Sequence, residues 1–271
     1  MYNKKPERKR PEKQGILLKK QFGQHFLQDH FYIDQVVNKI AFTSGINVFE
    51  IGCGEGVLTK AIAQQPLLNK LRVFEIDPEW ANLVKTDLAS DARVTVCESN
   101  ILDENLNELF KDEKWILLAN LPYCITFPIL HLLQKSSAVV KEGVIMIQEE
   151  VAQKILKTSG RGYGYPSLFF QRYFQWELMD KVPPTAFFPP PKVDSRLLYF
   201  KTNENPEPII NEEGFWKFIK LCFLQPRRML KNNLQQSRYG LEPFSDELLK
   251  KRAQELSMKD FLEIWSTLQV K

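Results

Sequence analysis

No run of apolar residues in this chain approaches the roughly 20 needed to span a membrane. The N-terminus has no hydrophobic core of the kind a secretion signal carries. It has no apolar face either, and Glu7 and Glu12 interrupt its cations Lys4, Lys5, Arg8, Lys9, Arg10 and Lys13, which argues against a mitochondrial transit peptide. Cysteine is scarce. The four present, Cys53, Cys97, Cys124 and Cys222, show no metal or redox spacing, so reduced cytosolic thiols are expected. Three scattered histidines are too few for a metal centre, and none is expected. There is no internal repeat, and no biased segment beyond the basic tail. What remains is ordinary for a globular protein: 271 residues, 44% hydrophobic and 26% charged, enough for one large domain and a small one. The net charge of +4 is modest, but the first twenty residues and the stretch 227–238 are both basic. A charge run is usually a solvated face; two of them favour nucleic acid as a partner.

The apolar run Trp115-Ile116-Leu117-Leu118-Ala119 reads as a buried strand, and it ends in Asn120-Leu121-Pro122-Tyr123. The C-terminal edge of an open α/β sheet is where ligands bind. Two acceptors there, the Asn120 side-chain oxygen and the Leu121 carbonyl, can hold the N–H bonds of an exocyclic amine and make it a better nucleophile. Pro122 stiffens the loop and removes a competing donor. Tyr123 offers a ring on which a base can stack. This reads as methyl transfer to an amine; a plain turn after a strand explains the tetrapeptide equally well.

A second motif favours the first reading. Ile46 to Ile51 reads as a strand running into Gly52-Cys53-Gly54-Glu55-Gly56 and then a helical stretch from Val57 to Gln64. Such glycines let the backbone approach a ligand closely. The strand from Leu71 to Ile76 places Glu75 at a distance suited to ribose hydroxyls. A nicotinamide enzyme could use a similar loop. The spacing here is G-x-G-x-G, however, with Val57 where close pyrophosphate contact needs glycine, which suits S-adenosylmethionine better. Further strands are expected at 93–98, 115–120, 143–148, 174–182 and 196–201, and helices near 29–41, 78–89, 127–134 and 149–156. Together they make a doubly wound, mostly parallel sheet closed by an antiparallel pair. Beyond a linker at 202–208 the pattern is helical: 211–223, 226–236, 246–255 and 258–268.

These motifs, with three others, resemble the ribosomal RNA adenine N6,N6-dimethyltransferases, most closely the branch acting on small-subunit RNA. The three are Phe22-Gly23-Gln24-His25-Phe26-Leu27, the run from Pro183 to Ser195 with its three consecutive prolines, and Arg227-Arg228-Met229-Leu230-Lys231-Asn232-Asn233-Leu234. The resemblance implies a Rossmann-like S-adenosylmethionine-dependent methyltransferase fold, α/β with a seven-stranded sheet, plus a small C-terminal all-α domain. The implied layout is a basic tail at 1–20, a catalytic domain at 21–202 and a helical RNA-binding domain at 203–271. The implied reaction is dimethylation of two adjacent adenines near the 3′ end of small-subunit rRNA in an assembling subunit, by a cytoplasmic monomer without membrane contact. Gly52, Gly54, Glu75, Ile76, Asn100, Asn120, Leu27 and His25 would hold the cofactor. Asn120, Leu121, Pro122 and Tyr123 would carry catalysis, with Phe187 sandwiching the base opposite Tyr123. Arg227, Arg228 and Lys231 would meet RNA from one helix face. Three positions depart from the family: His25 and Cys124 stand where Asn is usual, and Asn100 where Asp is usual. The rivals are a large-subunit adenine methyltransferase of the macrolide-resistance type and an RNA-binding assembly factor with little catalysis.

Overall fold

The computed structural model describes residues 11–19, 22–235, 237, 239–242 and 244–269. Lys4, Lys5, Arg8, Lys9 and Arg10 of the expected basic tail lie outside them. The chain divides into two compact units, residues 1–149 with 177–200, and 150–176 with 201–271. One division falls between residues 200 and 201, the expected one between 202 and 203. Residues 150–176, expected in the catalytic domain, group with the C-terminal helices instead. The reason is aromatic packing: Tyr165, Phe169 and Tyr173 all stand against Trp216, at ring-centroid distances of 5.8, 4.8 and 6.2 Å.

The first unit opens with a small hairpin, β1 (Glu12–Lys13) and β2 (Ile16–Leu17), followed by β3 (Phe26–Leu27) and α1 (His30–Asn38). Asp29 caps α1 by accepting from the Phe31 amide. Strands and helices then alternate: β4 (Ile46–Ile51), α2 (Val57–Ala63), β5 (Leu68–Glu75), α3 (Pro78–Asp87), β6 (Val94–Glu98), α4 (Leu106–Leu109), β7 (Trp115–Asn120), α5 (Thr126–Lys135) and β8 (Val140–Gln148). After α6 (Glu149–Leu156) and α7 (Tyr165–Tyr173) come β9 (Phe174–Val182), β10 (Phe187–Phe188) and β11 (Ser195–Thr202).

The seven-stranded sheet runs in the order β6-β5-β4-β7-β8-β11-β9, with parallel pairing from β6 through β8. From β4 the chain winds outward through β5 and β6, then returns to the other side of β4 as β7 and β8. The carboxyl ends of β4 and β7 therefore flank a topological switch point, where a crevice opens. The strands on both sides read as continuous apolar runs because helices cover both faces. Val48, Phe49, Leu117, Val144 and Ile145 are fully buried.

The second unit continues with α8 (Glu212–Cys222), α9 (Leu230–Leu234), α10 (Asp246–Lys250) and α11 (Met258–Gln269). Asn211 and Ser245 cap α8 and α10. The helix expected over 226–236 is much shorter. Residues 226–229 form a turn, and Met229 pairs as an isolated β-bridge with Arg252, while the Leu230 amide donates to the Lys251 carbonyl. Arg227 and Arg228 thus precede the helix, and the single basic face with Lys231 is not formed.

Candidate active site

A cavity of about 370 Å³ lies over the carboxyl ends of β4, β5, β6 and β7. Of the residues expected at the site, His25, Leu27, Gly52, Gly54, Glu75, Ile76, Asn100, Asn120, Leu121, Pro122 and Tyr123 all line it. Gly52 and Gly54 have φ of +75° and +50°, a region side chains rarely enter. At Gly54 space also decides, since a Cβ would stand 2.5 Å from the Phe26 ring.

Glu75, at the end of β5, is buried. Its carboxylate accepts from the Asp77 amide at 3.0 Å and the Gly54 amide at 3.1 Å. Burial pushes its pKa up, and these two amides pull it back. Oε2 also accepts from the Cys53 thiol at 3.7 Å, so Oε1 is the oxygen that keeps a lone pair for a hydroxyl. Ile76 beside it is 47% exposed, a flat apolar surface open to the cavity. Asn100 caps the short turn that follows β6: its oxygen accepts from the Leu102 amide, and its NH₂ group donates to Asp103. One lone pair of that oxygen remains available to a ligand amine. Two further lining groups, Glu50 Oε2 and Ser99 Oγ, are buried without a hydrogen-bond partner among the described residues. Such atoms ask for a polar ligand. A glycine-lined wall, a buried carboxylate, an apolar shelf and unpartnered polar atoms fit S-adenosylmethionine.

At the end of β7, the Asn120 NH₂ group donates to the His25 carbonyl at 3.1 Å. No described protein group donates to its oxygen, which is left for a target amine. Leu121 is anchored by its amide to the Met146 carbonyl. The Tyr123 hydroxyl meets the buried Ser195 hydroxyl at 2.5 Å, and its ring stacks on His25 at 5.9 Å with 25° between planes. His25 Nδ1 donates to the Pro189 carbonyl at 2.7 Å. The histidine that replaces Asn therefore directs its ring to Tyr123 and the proline-rich segment, while its backbone orients Asn120. Cys124 is exposed on the cavity rim.

Phe187 is placed differently from expectation. It is 4% exposed, pairs with Leu27 between β10 and β3, and belongs to the main core cluster. Strand alternation turns its neighbour Phe188 outward, 38% exposed. The ring offered to solvent in this segment is Phe188.

Several contributors were not legible in the sequence. Gln24 bridges two partners, accepting from the Lys19 amide at 2.7 Å and donating to Asp77 at 3.0 Å. Lys19 pairs with the same buried Asp77 at 2.6 Å, and Lys13 and Gln28 converge on the buried Glu55. These bonds fasten residues 13–19 and 24–28 over the glycine loop and explain why the F-G-Q run needs its glutamine. Ser195 carried a signal only as part of the proline-rich run.

A family model for ribosomal RNA adenine dimethylases matches residues 15–269. The chain is 31% identical over 255 residues to a ribosomal RNA small subunit methyltransferase A from Chlorobium phaeobacteroides, covering 94% of this chain and 92% of that protein. It is 32% identical over 277 residues to the protein of the same name from Bacillus mycoides, covering 95% and 93%. Among solved structures, a dimethyladenosine transferase from Plasmodium falciparum shares the fold with a TM-score of 0.76 at 22% identity, covering 90% of this chain and 97% of that one. A 23S rRNA methyltransferase, ErmE, follows with 0.69 at 21%, covering 90% and 99%. The sequence match runs through both compact units rather than stopping at the cofactor cavity, and on it the chain belongs to the ribosomal RNA adenine dimethylase family.

Proposed function

We propose that this enzyme dimethylates the N6 amines of two adjacent adenines near the 3′ end of small-subunit rRNA, acting on an assembling subunit as a cytoplasmic monomer. The observation that carries the chemistry is the polarity of Asn120. With its NH₂ group held by the His25 carbonyl, the side chain presents its oxygen, an acceptor, and not its donor group. That oxygen and the Leu121 carbonyl take the two N–H bonds of the target amine and draw it toward a tetrahedral, nucleophilic geometry. S-adenosylmethionine, when bound, supplies the methyl group and the intrinsic reactivity. Glu75, Ile76, Asn100 and the Gly52–Gly54 wall hold and orient it, and Leu27 closes over it. Both acceptors then face a nitrogen that becomes positive as it is alkylated, which stabilises the transition state. The product amine is acidic enough to lose its proton to water, so no His, Lys or carboxylate base is needed in the tetrapeptide. Tyr123, fixed by Ser195, receives the extruded base. Arg227, Arg228 and Lys231 belong to a helical unit that meets RNA phosphates and sets the register.

Full-length relatives bearing the small-subunit name favour that branch over the large-subunit enzymes. The test is transfer of labelled methyl groups to isolated small and large subunits, followed by mapping of the modified adenines. Label on two neighbouring adenines near the small-subunit 3′ end is expected. Label confined to the large subunit would overturn the assignment.

A further inference from the structure

The second unit contains a recess of about 450 Å³. Its rim carries four cations drawn from four separate places: Lys154 on α6, Arg161 in the loop before α7, Lys220 near the end of α8, and Arg227 in the turn before α9. All four are exposed. No carboxylate is among the described lining residues. The ion pairs of this unit, among the described residues, engage Arg172, Lys217 and Lys259 and none of the four. Asp260, whose charge reaches Tyr163, is turned to the amide and hydroxyl of Ser257. An ordinary solvated face mixes both signs; this one holds four like charges around a hollow, none of them ion-paired among the described residues.

Inside the hollow the surface is aromatic. Tyr163 and Phe223 meet edge to face at 5.7 Å, and Lys220 Nζ stands 4.6 Å over the Tyr165 ring. The framework is pinned rather than loose. The loop is tied at Gly160, whose amide donates to the Gln254 carbonyl, and at Lys157, whose carbonyl accepts from Gln171. The turn bearing Arg227 is held by the buried Asn233, which donates to the Cys222 and Gln225 carbonyls and accepts from the Gln225 amide. Gly162, at φ +93°, keeps the segment between Arg161 and Tyr163 in a conformation side chains rarely adopt.

Cations arranged to follow a backbone, set around ring faces on which bases can stack, are the features by which proteins hold single-stranded nucleic acid. We propose that this recess binds an unpaired nucleotide of the substrate RNA, with Lys154, Arg161, Lys220 and Arg227 on its phosphates and the half-buried Tyr165 or Phe223 against its base, while the buried Tyr163 backs Phe223. Its lining shares no residue with that of the methyl-transfer cavity, and it fixes where the substrate is gripped, not which atom reacts. This deepens the proposed function and rests on its reading of the second unit as RNA-binding. It also reassigns Arg227, which joins Lys154, Arg161 and Lys220 instead of Arg228 and Lys231.

The test uses the full chain and purified small ribosomal subunits. Lys154→Gln, Arg161→Gln and Lys220→Gln are combined, and subunit affinity is measured across a salt series beside an Arg228→Gln/Lys231→Gln variant. The triple variant is expected to flatten the log–log salt slope by about two units, at ~0.7 per lost single-strand phosphate contact. Its melting temperature and its affinity for S-adenosylmethionine should match wild type. Ultraviolet cross-linking of the wild-type complex should place RNA on the peptide containing Tyr163 and Tyr165 or on that containing Phe223, and the triple variant should lose that cross-link. An unchanged slope in the triple variant, or cross-links only elsewhere in the chain, overturns the recess as an RNA site. If the double variant flattens the slope while the triple does not, the unit binds RNA through its other basic face. If neither does, the RNA-binding reading of the whole unit falls with it.

Discussion

The proposed role of Asn120 rests on the asymmetry of one amide, whose NH₂ group donates to the His25 carbonyl. An alanine there removes the positioned acceptor while leaving β7 and its neighbours intact. Turnover of Asn120→Ala is therefore expected to fall by about 10²–10³-fold, the scale of one preorganised polar contact. Methyl transfer by a folded variant with normal cofactor affinity checks this. The tetrapeptide itself was readable, because Asn and Pro at a strand end make poor core residues. Which aromatic of Phe187 and Phe188 faces outward was not. Within a two-residue strand the alternation can start on either foot, and only the pairing with Leu27 fixes it. Phe187→Ala should destabilise the protein by about 3–5 kcal/mol, as for other buried aromatics. Phe188→Ala should leave the melting temperature nearly unchanged. Denaturant titrations of both variants separate the two. Glu50 is a third residue-scale matter. Burial, reinforced by the Glu75 carboxylate, raises its pKa from 4.5 to about 8, so the folded protein keeps it protonated at neutral pH. The folded state then binds a proton that the unfolded state releases above pH 4.5. Its contribution is complete below that pH and is lost as pH climbs through about 8, at up to ~1.4 kcal/mol per unit. Glu50→Gln should accordingly melt like wild type near pH 5 and increasingly above it toward pH 8.5. Parallel melting curves across that range would show that Glu50 is not buried neutral.

At the scale of elements, the long strands and the glycine loop were legible because their signals are local and strong. β9 forms over the expected residues, 174–182, and Asn211, the first residue of the expected helix 211–223, caps α8. Two elements escaped for physical reasons. α7 begins at Tyr165 with Pro166 in its first turn and Gly164 as its cap, so the segment reads as a loop until tertiary packing gathers its apolar face. The region 226–229 has helical spacing, yet the bridge between Met229 and Arg252 engages its backbone and withholds it from α9. Tertiary pairing overrode local propensity there. The glycine loop also carries a prediction. Gly54 must hold φ +50° with the Phe26 ring where its side chain would go, and that ring packs edge-on against Trp80 at 4.8 Å. Gly54→Ala therefore distorts the loop or displaces β3, which lies over the cofactor cavity. S-adenosylmethionine affinity, read by calorimetry, should drop by at least tenfold. A variant that binds normally would mean that the loop and β3 separate without cost.

Across the whole molecule, the two units are interleaved in sequence: residues 150–176 leave the sheet unit, join the C-terminal helices, and the chain then returns to complete the sheet. Composition shifts mark linkers, so the polar stretch after Thr202 was found; a segment that crosses over with no change in composition leaves no such mark. The consequence is testable by truncation. Cutting after residue 202 looks like a clean separation of catalytic and helical domains. It would instead strip α8 away from α7, exposing Phe169 and Tyr173, which are buried in part against Trp216. Each large aromatic uncovered removes about 1.5–3 kcal/mol of burial, against a total stability of roughly 5–15 kcal/mol for a typical domain. A fragment of residues 1–202 is thus expected to aggregate or to lack a cooperative thermal transition. The point substitution Trp216→Ala in the full chain should reproduce a milder form of the same defect, lowering stability by about 3–5 kcal/mol. Scanning calorimetry of the fragment and the variant beside wild type decides the point. A soluble fragment that melts cooperatively and binds S-adenosylmethionine would show that residues 150–176 fold with the sheet after all, and that the helical unit begins only at the linker.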